Sequence, residues 1–278
     1  MCGTGNSHSV AAFGGNLRAN GIRQHYLRFR SDSTPLVLVP GITSPAVTWG
    51  FVAERLARHF DVYVLDVRGR GLSSSGPELS YDIDTLAADL IAFVSALGLH
   101  RVTVLGHSMG ARIAIRAAAR DAGRFAQLIL VDPPVSGPGR RPYPSKLSWY
   151  VDSIRQALSG MNAQAMRTFC PTWTDEQLAL RAEWLHTCFE PAIVTAFDGF
   201  HKDDIHADIP HIKVPTGLMV AGRGGVIEPR DEDEITALND KIRIARVPDA
   251  GHMIPWDDFE GFFAAFDVLI GTKLARAR

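Results

Sequence analysis

The sequence predicts an α/β protein: a mostly parallel central sheet with helices on both faces, interrupted by an inserted helical segment. Two observations carry this. Short, wholly apolar runs such as Leu36-Val37-Leu38-Val39 alternate with stretches of helical periodicity, and strands of that composition are buried on both faces. The alternation stops near residue 135 and resumes near 211; between them lie Gly/Pro-rich loops and amphipathic helical stretches without a buried strand.

In chain order, residues 16–29 read as a β-hairpin, with Asn20-Gly21 supplying a turn that tolerates positive φ. Residues 36–39 form the first buried strand and end at Pro40-Gly41. A helix over 47–58, a strand over 62–65, a helix over 83–97, a strand over 102–105, a helix over 109–120 and a strand over 128–131 follow. In the helix over 83–97, Ile83, Leu86, Leu90, Phe93, Val94 and Leu97 recur at helical spacing, Asp82 caps the start and Gly98 follows the end. After the insertion come a strand over 215–221, a helix over 231–238, a strand over 242–247 and a last helix over 257–270. Phe259, Phe262, Phe263 and Phe266 give that helix one apolar face, which belongs to the core. The expected organisation is a polar tail over 1–8, a core over 9–134, a helical lid over 135–210 and the rest of the same core over 211–278.

Composition narrows the function. With 29 Lys+Arg against 30 Asp+Glu, a net charge of −1 and no basic block, the chain carries no electrostatic footprint for nucleic acid or an anionic membrane. No apolar run reaches the length of a membrane span, and the first residues lack a signal-peptide pattern, so a cytoplasmic protein is expected. Three cysteines, Cys2, Cys170 and Cys188, without CxxC spacing argue against a disulfide framework and a zinc site. Arg68-Gly69-Arg70-Gly71 and Gly222-Arg223-Gly224-Gly225 match no nucleotide-binding spacing, and no metal-binding motif occurs. The expected partner is therefore a small-molecule substrate, with no cofactor and no metal; the oligomeric state is left open.

Gly106-His107-Ser108-Met109-Gly110 fits G-x-S-x-G between a buried strand and a helix, the context in which a serine is held on a sharp turn. A serine hydroxyl needs a base within hydrogen-bond reach, and the base needs an orienting group. His252, between the last strand and the last helix, is the expected base; His107, His186, His201, His206 and His211 have ordinary roles, with His201 also a candidate for substrate contact. The orienting acid is Asp132, at the end of the strand over 128–131, with Glu228 as its rival. Oxyanion donors are expected from the Ile42 and Met109 N–H groups, with Thr43 as a possible added hydroxyl.

Pro40-Gly41, Asp66-Val67-Arg68-Gly69-Arg70-Gly71, Gly106-His107-Ser108-Met109-Gly110 and Gly251-His252, in this order, resemble the α/β-hydrolase superfamily with a helical lid, over about residues 17–272. In that superfamily the acid commonly follows the strand after the lid; here that position is Gly225, which turns attention to Asp132. Gly41-Ile42-Thr43-Ser44-Pro45-Ala46, the acid at Asp132 and Glu228-Pro229 further resemble one branch of amide hydrolases, the N-formylmaleamate deformylases of bacterial nicotinic acid breakdown. The resemblance implies Ser108 as nucleophile, His252 as base, Asp132 as its partner and Glu228 in or beside the pocket. It also implies a carboxylate on the substrate, for which Lys146, Arg167, Lys202 and Arg223 are candidate cations. Trp149, Tyr150, Trp173, Trp184 and Phe197 are the aromatics expected to wall the pocket. Rival readings are an esterase, lactonase, carbon–carbon bond hydrolase or cofactor-free perhydrolase with the same triad, and a ligand receptor on a hydrolase scaffold. Ser108 at the elbow argues against the branches that use an aspartate nucleophile.

Overall fold

The computed structural model describes residues 12–271, so the polar tail expected over residues 1–8 lies outside them. Strands β1 (Ala12–Ala19) and β2 (Ile22–Phe29) form the hairpin, joined by Asn20 and Gly21 with φ of 48° and 75°. Next come β3 (Pro35–Val39), α1 (Gly50–Leu56), β4 (Asp61–Leu65), α2 (Ile83–Ala96), β5 (Val102–His107), α3 (Met109–Arg120) and β6 (Phe125–Val131). Four helices, α4 (Leu147–Leu158), α5 (Ala163–Met166), α6 (Asp175–Trp184) and α7 (Glu190–Lys202), separate β6 from β7 (Thr216–Ala221). The chain closes with α8 (Pro229–Leu238), β8 (Ile242–Val247), α9 (Ile254–Asp257) and α10 (Phe259–Ile270).

The eight strands make one sheet in the order β1-β2-β4-β3-β5-β6-β7-β8. The first two pairings, β1 with β2 and β2 with β4, are antiparallel; all the others are parallel. Alternation along each central strand sorts side chains to two faces. Leu36 and Leu38 of β3, Val62 and Val64 of β4, and Ile129 and Val131 of β6 join Val52, Leu56, Phe262 and Phe266 in one core layer under α1 and α10. The intervening Val37, Val39, Tyr63, Leu65, Leu128 and Leu130 pack with Leu90, Phe93, Ile113 and Ala117 of α2 and α3. Continuous apolar runs are thus what a sheet covered on both faces requires. Tyr150, Ile154, Leu178, Ile193 and Phe200 of the insertion extend this second layer over the ends of the strands.

Most elements shift by a few residues from expectation, β6 for example starting at Phe125 and α8 at Pro229, and three differences change a helix or the serine turn. The first helix begins as a 3-10 turn over Ala46–Trp49 before α1. Strand β5 runs two residues further than expected, to His107, and so delivers Ser108 straight into α3. The last helix is split at Asp258, whose extended backbone (φ −146°, ψ 87°) stops α9 while its side chain accepts from the Gly261 N–H and starts α10. Among the described residues no helix is long and apolar enough to cross a membrane.

Candidate active site

Ser108 sits between β5 and α3 with φ 53° and ψ −117°, a conformation an L-residue adopts only when its surroundings force it. The surroundings are two close backbone approaches. A Cβ on Gly106 would lie 2.5 Å from the Gly110 carbonyl oxygen, and one on Gly110 would run into the Val39 carbonyl at the end of β3. Small residues at both positions are therefore what lets the strand turn into the helix within one residue. The Ser108 N–H donates to the Val131 carbonyl at 2.8 Å, tying the turn to β6.

The Ser108 hydroxyl points to His252, with Oγ 3.0 Å from Nε2, and the Nδ1 of the same ring lies 2.6 Å from Asp132 Oδ2. Asp132 is completely buried and also has positive φ, 46°. Its N–H donates to the Met219 carbonyl at 2.9 Å and its Oδ1 accepts from the Ala221 N–H at 3.2 Å, so β7 fixes both ends of the residue. The loop after β7 closes against this carboxylate: a Cβ on Gly224 would meet Asp132 Oδ2 at 3.2 Å. Glu228 is elsewhere. Its N–H donates to Asp231 Oδ2 at 2.8 Å at the start of α8, and its carboxylate faces Arg230 at 3.3 Å and Arg141 at 3.8 Å, outside the cavity that Ser108 lines.

His107 supports His252 from behind. Its Nε2–H faces the His252 carbonyl at 3.0 Å and its ring lies 5.0 Å from the His252 ring. Burial, reinforced by the neighbouring imidazole, pushes the His107 pKa down to about 3. It is a neutral ring at neutral pH, and its Nδ1 has no partner among the described residues. On the other side, the Tyr143 hydroxyl comes within 3.3 Å of both His252 Nε2 and the Tyr150 hydroxyl, and burial raises the pKa of both phenols, keeping them protonated.

The Ile42 and Met109 N–H groups find no protein acceptor among the described residues, which leaves them available as a pair. A buried guanidinium braces both residues. Arg70 donates from Nε to the Ile42 carbonyl at 3.0 Å and from Nη2 to Met109 Sδ at 3.4 Å, with further bonds to the Arg68 and Ala192 carbonyls. Desolvation lowers its pKa to about 10, so it stays charged at neutral pH. Arg68 serves a different purpose, pairing with buried Asp89 at 2.7 Å.

Ser108 and His252 open onto a cavity of about 440 Å³, roomy for a small molecule. Thr43, Tyr150, Trp149 and Trp173 line it; Trp184, Phe197, His201 and Lys146 do not. His201 instead accepts from the Tyr143 N–H at 3.3 Å and braces that loop, while Lys146 is exposed just before α4. The other three candidate cations are also engaged elsewhere: Arg167 with Asp175, Lys202 with Asp198, Arg223 with the Asp249 carbonyl. Among the described residues the cation on the cavity wall is Arg181 of α6, only 4% exposed and not a candidate from the sequence. The signal was available: Arg181 shares one helical stripe with Leu178, Ala182 and Leu185, all buried. Among the described residues no group of three or more His, Cys, Asp or Glu is placed to hold a metal ion.

The sequence pattern of the alpha/beta hydrolase fold matches residues 34–259. A relative from Pseudomonas putida, the N-formylmaleamate deformylase, is 69% identical over 258 residues, 93% of this chain and 96% of the relative. A crystal structure of an N-formylmaleamic acid deformylase from Pseudomonas putida, with a serine replaced by alanine, matches at TM-score 0.89 and 60% identity, over 91% of this chain and 100% of that one. E-2-(acetamidomethylene)succinate hydrolase, at TM-score 0.77 and 18% identity over 94% of this chain and 100% of that one, shares the fold.

Proposed function

This chain belongs to the α/β-hydrolase family, and on that premise we propose that it is a serine hydrolase that deformylates N-formylmaleamate, releasing formate and maleamate. The observation that carries the reading is the unbroken line from Asp132 through His252 to Ser108 Oγ on the cavity wall, in a chain so close to a deformylase of that name.

In the cycle, His252 Nε2 accepts the Ser108 proton as Oγ attacks the formyl carbon, and Asp132 holds the imidazole with Nδ1–H toward its carboxylate. Charge develops on the formyl oxygen, where the Ile42 and Met109 N–H groups receive it. The C–N bond then breaks, and His252 returns its proton to the departing nitrogen. That nitrogen leaves as a carboxamide, because its other substituent is an acyl group, so it departs more readily than an amine. Water, deprotonated by His252, next attacks the formyl-serine, expelling Ser108 and giving formate. The helices between β6 and β7 act as a lid, shielding the acyl-enzyme from bulk water. The reaction needs no cofactor. A cytoplasmic setting fits the two buried thiols, Cys170 and Cys188, which form no disulfide among the described residues.

The test is formate release from N-formylmaleamate by the purified protein and by Ser108→Ala. Release that disappears in the variant is expected. Turnover of activated esters without formate release would retain the serine chemistry and discard this substrate.

A further inference from the structure

We propose that Arg181 is a carboxylate-binding subsite, which makes this cavity selective for small acyl compounds bearing an anionic end a few bonds from the scissile carbonyl. The proposal builds on the hydrolase reading above and names the part of the site that chooses the substrate.

Among the described residues four arginines are buried, and three of them make four hydrogen bonds each. Arg68 pairs with Asp89, Arg70 has four acceptors, and Arg112 donates to four backbone carbonyls, of Pro134, Ser136, Gly199 and Asp203. Arg181 is different. Its Nη1 and Nη2 donate to the Thr43 carbonyl and hydroxyl at 3.2 and 3.1 Å, while its Nε is buried without a partner among the described residues. A guanidinium has five N–H donors in a planar fork; two are spent on Thr43 and the Cys170 thiol also hydrogen-bonds the group, which leaves at least two for the two oxygens of a carboxylate.

No carboxylate among the described residues pairs with Arg181, and a buried cation without a counter-ion is costly. Its immediate surroundings hold it without neutralising it. The Trp149 and Trp173 rings lie 5.5 and 5.7 Å from the guanidinium carbon, a cation–π arrangement that fixes the plane of the fork. The neighbouring Cys170 and Cys188 thiols have pKa values raised by burial, so neither supplies a negative charge. A substrate carboxylate entering the cavity that Arg181 lines would supply the counter-ion that the protein does not. Because the two occupied donors grip Thr43, next to Ile42, the subsite is also joined to the oxyanion turn.

The test compares formate release from N-formylmaleamate and from its methyl ester, which keeps the scissile bond and masks the charge. In Arg181→Gln the ratio of kcat/KM for acid over ester is expected to fall about 10- to 100-fold, mainly through KM for the acid, with Arg181→Lys in between. A structural role alone would depress both substrates together and leave the ratio intact, and that result would overturn the proposal. Titration calorimetry of the wild-type protein with maleamate and neutral maleamide reads the subsite without turnover or a variant. At least about tenfold tighter binding of the anion is expected, and equal affinities would also overturn it. If calorimetry shows that preference while no substrate is turned over, the subsite stands and the hydrolase reading fails.

Discussion

Asp132 Oδ2 lies 2.6 Å from His252 Nδ1, inside a pocket that leaves the aspartate no solvent exposure at all. Such an acid fixes the imidazole tautomer and stabilises the imidazolium that forms during the reaction. Asp132→Asn keeps the shape but offers an amide where the ring N–H must be accepted, so kcat is expected to drop about a thousandfold or more, as for comparable serine-protease changes. Glu228 pairs with arginines at the start of α8, and Glu228→Gln is expected to alter kcat/KM by less than about threefold. Parallel steady-state kinetics decide between them: a collapse in the Glu228 variant with Asp132→Asn still active would transfer the role.

Arg70 carries a second expectation, because it holds Ile42 through its carbonyl and touches the Met109 sulfur while contacting no substrate-facing surface itself. Both proposed oxyanion donors are thus braced by one buried cation. Arg70→Met is expected to lower kcat about 10- to 100-fold with a much smaller change in KM, since the donors matter most when charge has developed. Circular dichroism and a thermal melt on the same samples establish that the variant is folded. A change confined to KM would show that Arg70 does not position these donors.

The depressed His107 pKa makes an acid-stability prediction with a definite sign. The native ring resists protonation down to about pH 3, whereas in the unfolded chain it protonates near the ordinary histidine value of about 6.5. Between those values the unfolded state binds the extra proton, so stability is full above about 6.5 and falls as the pH drops, by up to about 1.4 kcal/mol per unit. Burial lowers the His206 pKa too, which adds in the same direction. Urea unfolding at pH 7.5 and 5.0 is expected to show about 2 kcal/mol more loss for wild type than for His107→Gln, which removes the titration. Equal losses would mean that His107 is protonated in the native state over this range.

The elements and the Ser108–His252–Asp132 line were legible because each is imposed by local chemistry. Buried parallel strands need unbroken apolar runs, and a serine at a strand-to-helix turn needs Gly106 and Gly110 beside it. Arg181 and Tyr143 were not singled out for the opposite reason. Arg181 stands among Glu176, Glu183 and other helix-surface charges, and only the packing of α6 against the turn at Thr43 turns it inward. Tyr143 lies in a Pro-rich loop with no periodicity to place its side chain, and its position beside His252 depends on contacts from α4 and α7. In sequence an exposed charge and a buried one look alike, so Lys146, Arg167, Lys202 and Arg223 stand as candidates for the pocket's cation and Arg181 does not.

Gly110 joins stability to chemistry through one contact. A methyl group there would run into the Val39 carbonyl, which is backbone and cannot swing away as a side-chain tip does. Val39 ends β3 and leads through Pro40 and Gly41 to Ile42, so relieving the clash must push α3 off the strand or displace the oxyanion turn. Overpacking of this kind costs about 1–3 kcal/mol, which for a chain of this size corresponds to a fall of roughly 2–12 °C in Tm. Gly110→Ala is therefore expected to melt lower and, well below its Tm where it is folded, to show a reduced kcat. Differential scanning calorimetry paired with kinetics at 15 °C separates the two effects. An unchanged Tm with wild-type kcat would mean that α3 and β3 are not in the close contact on which this serine turn depends.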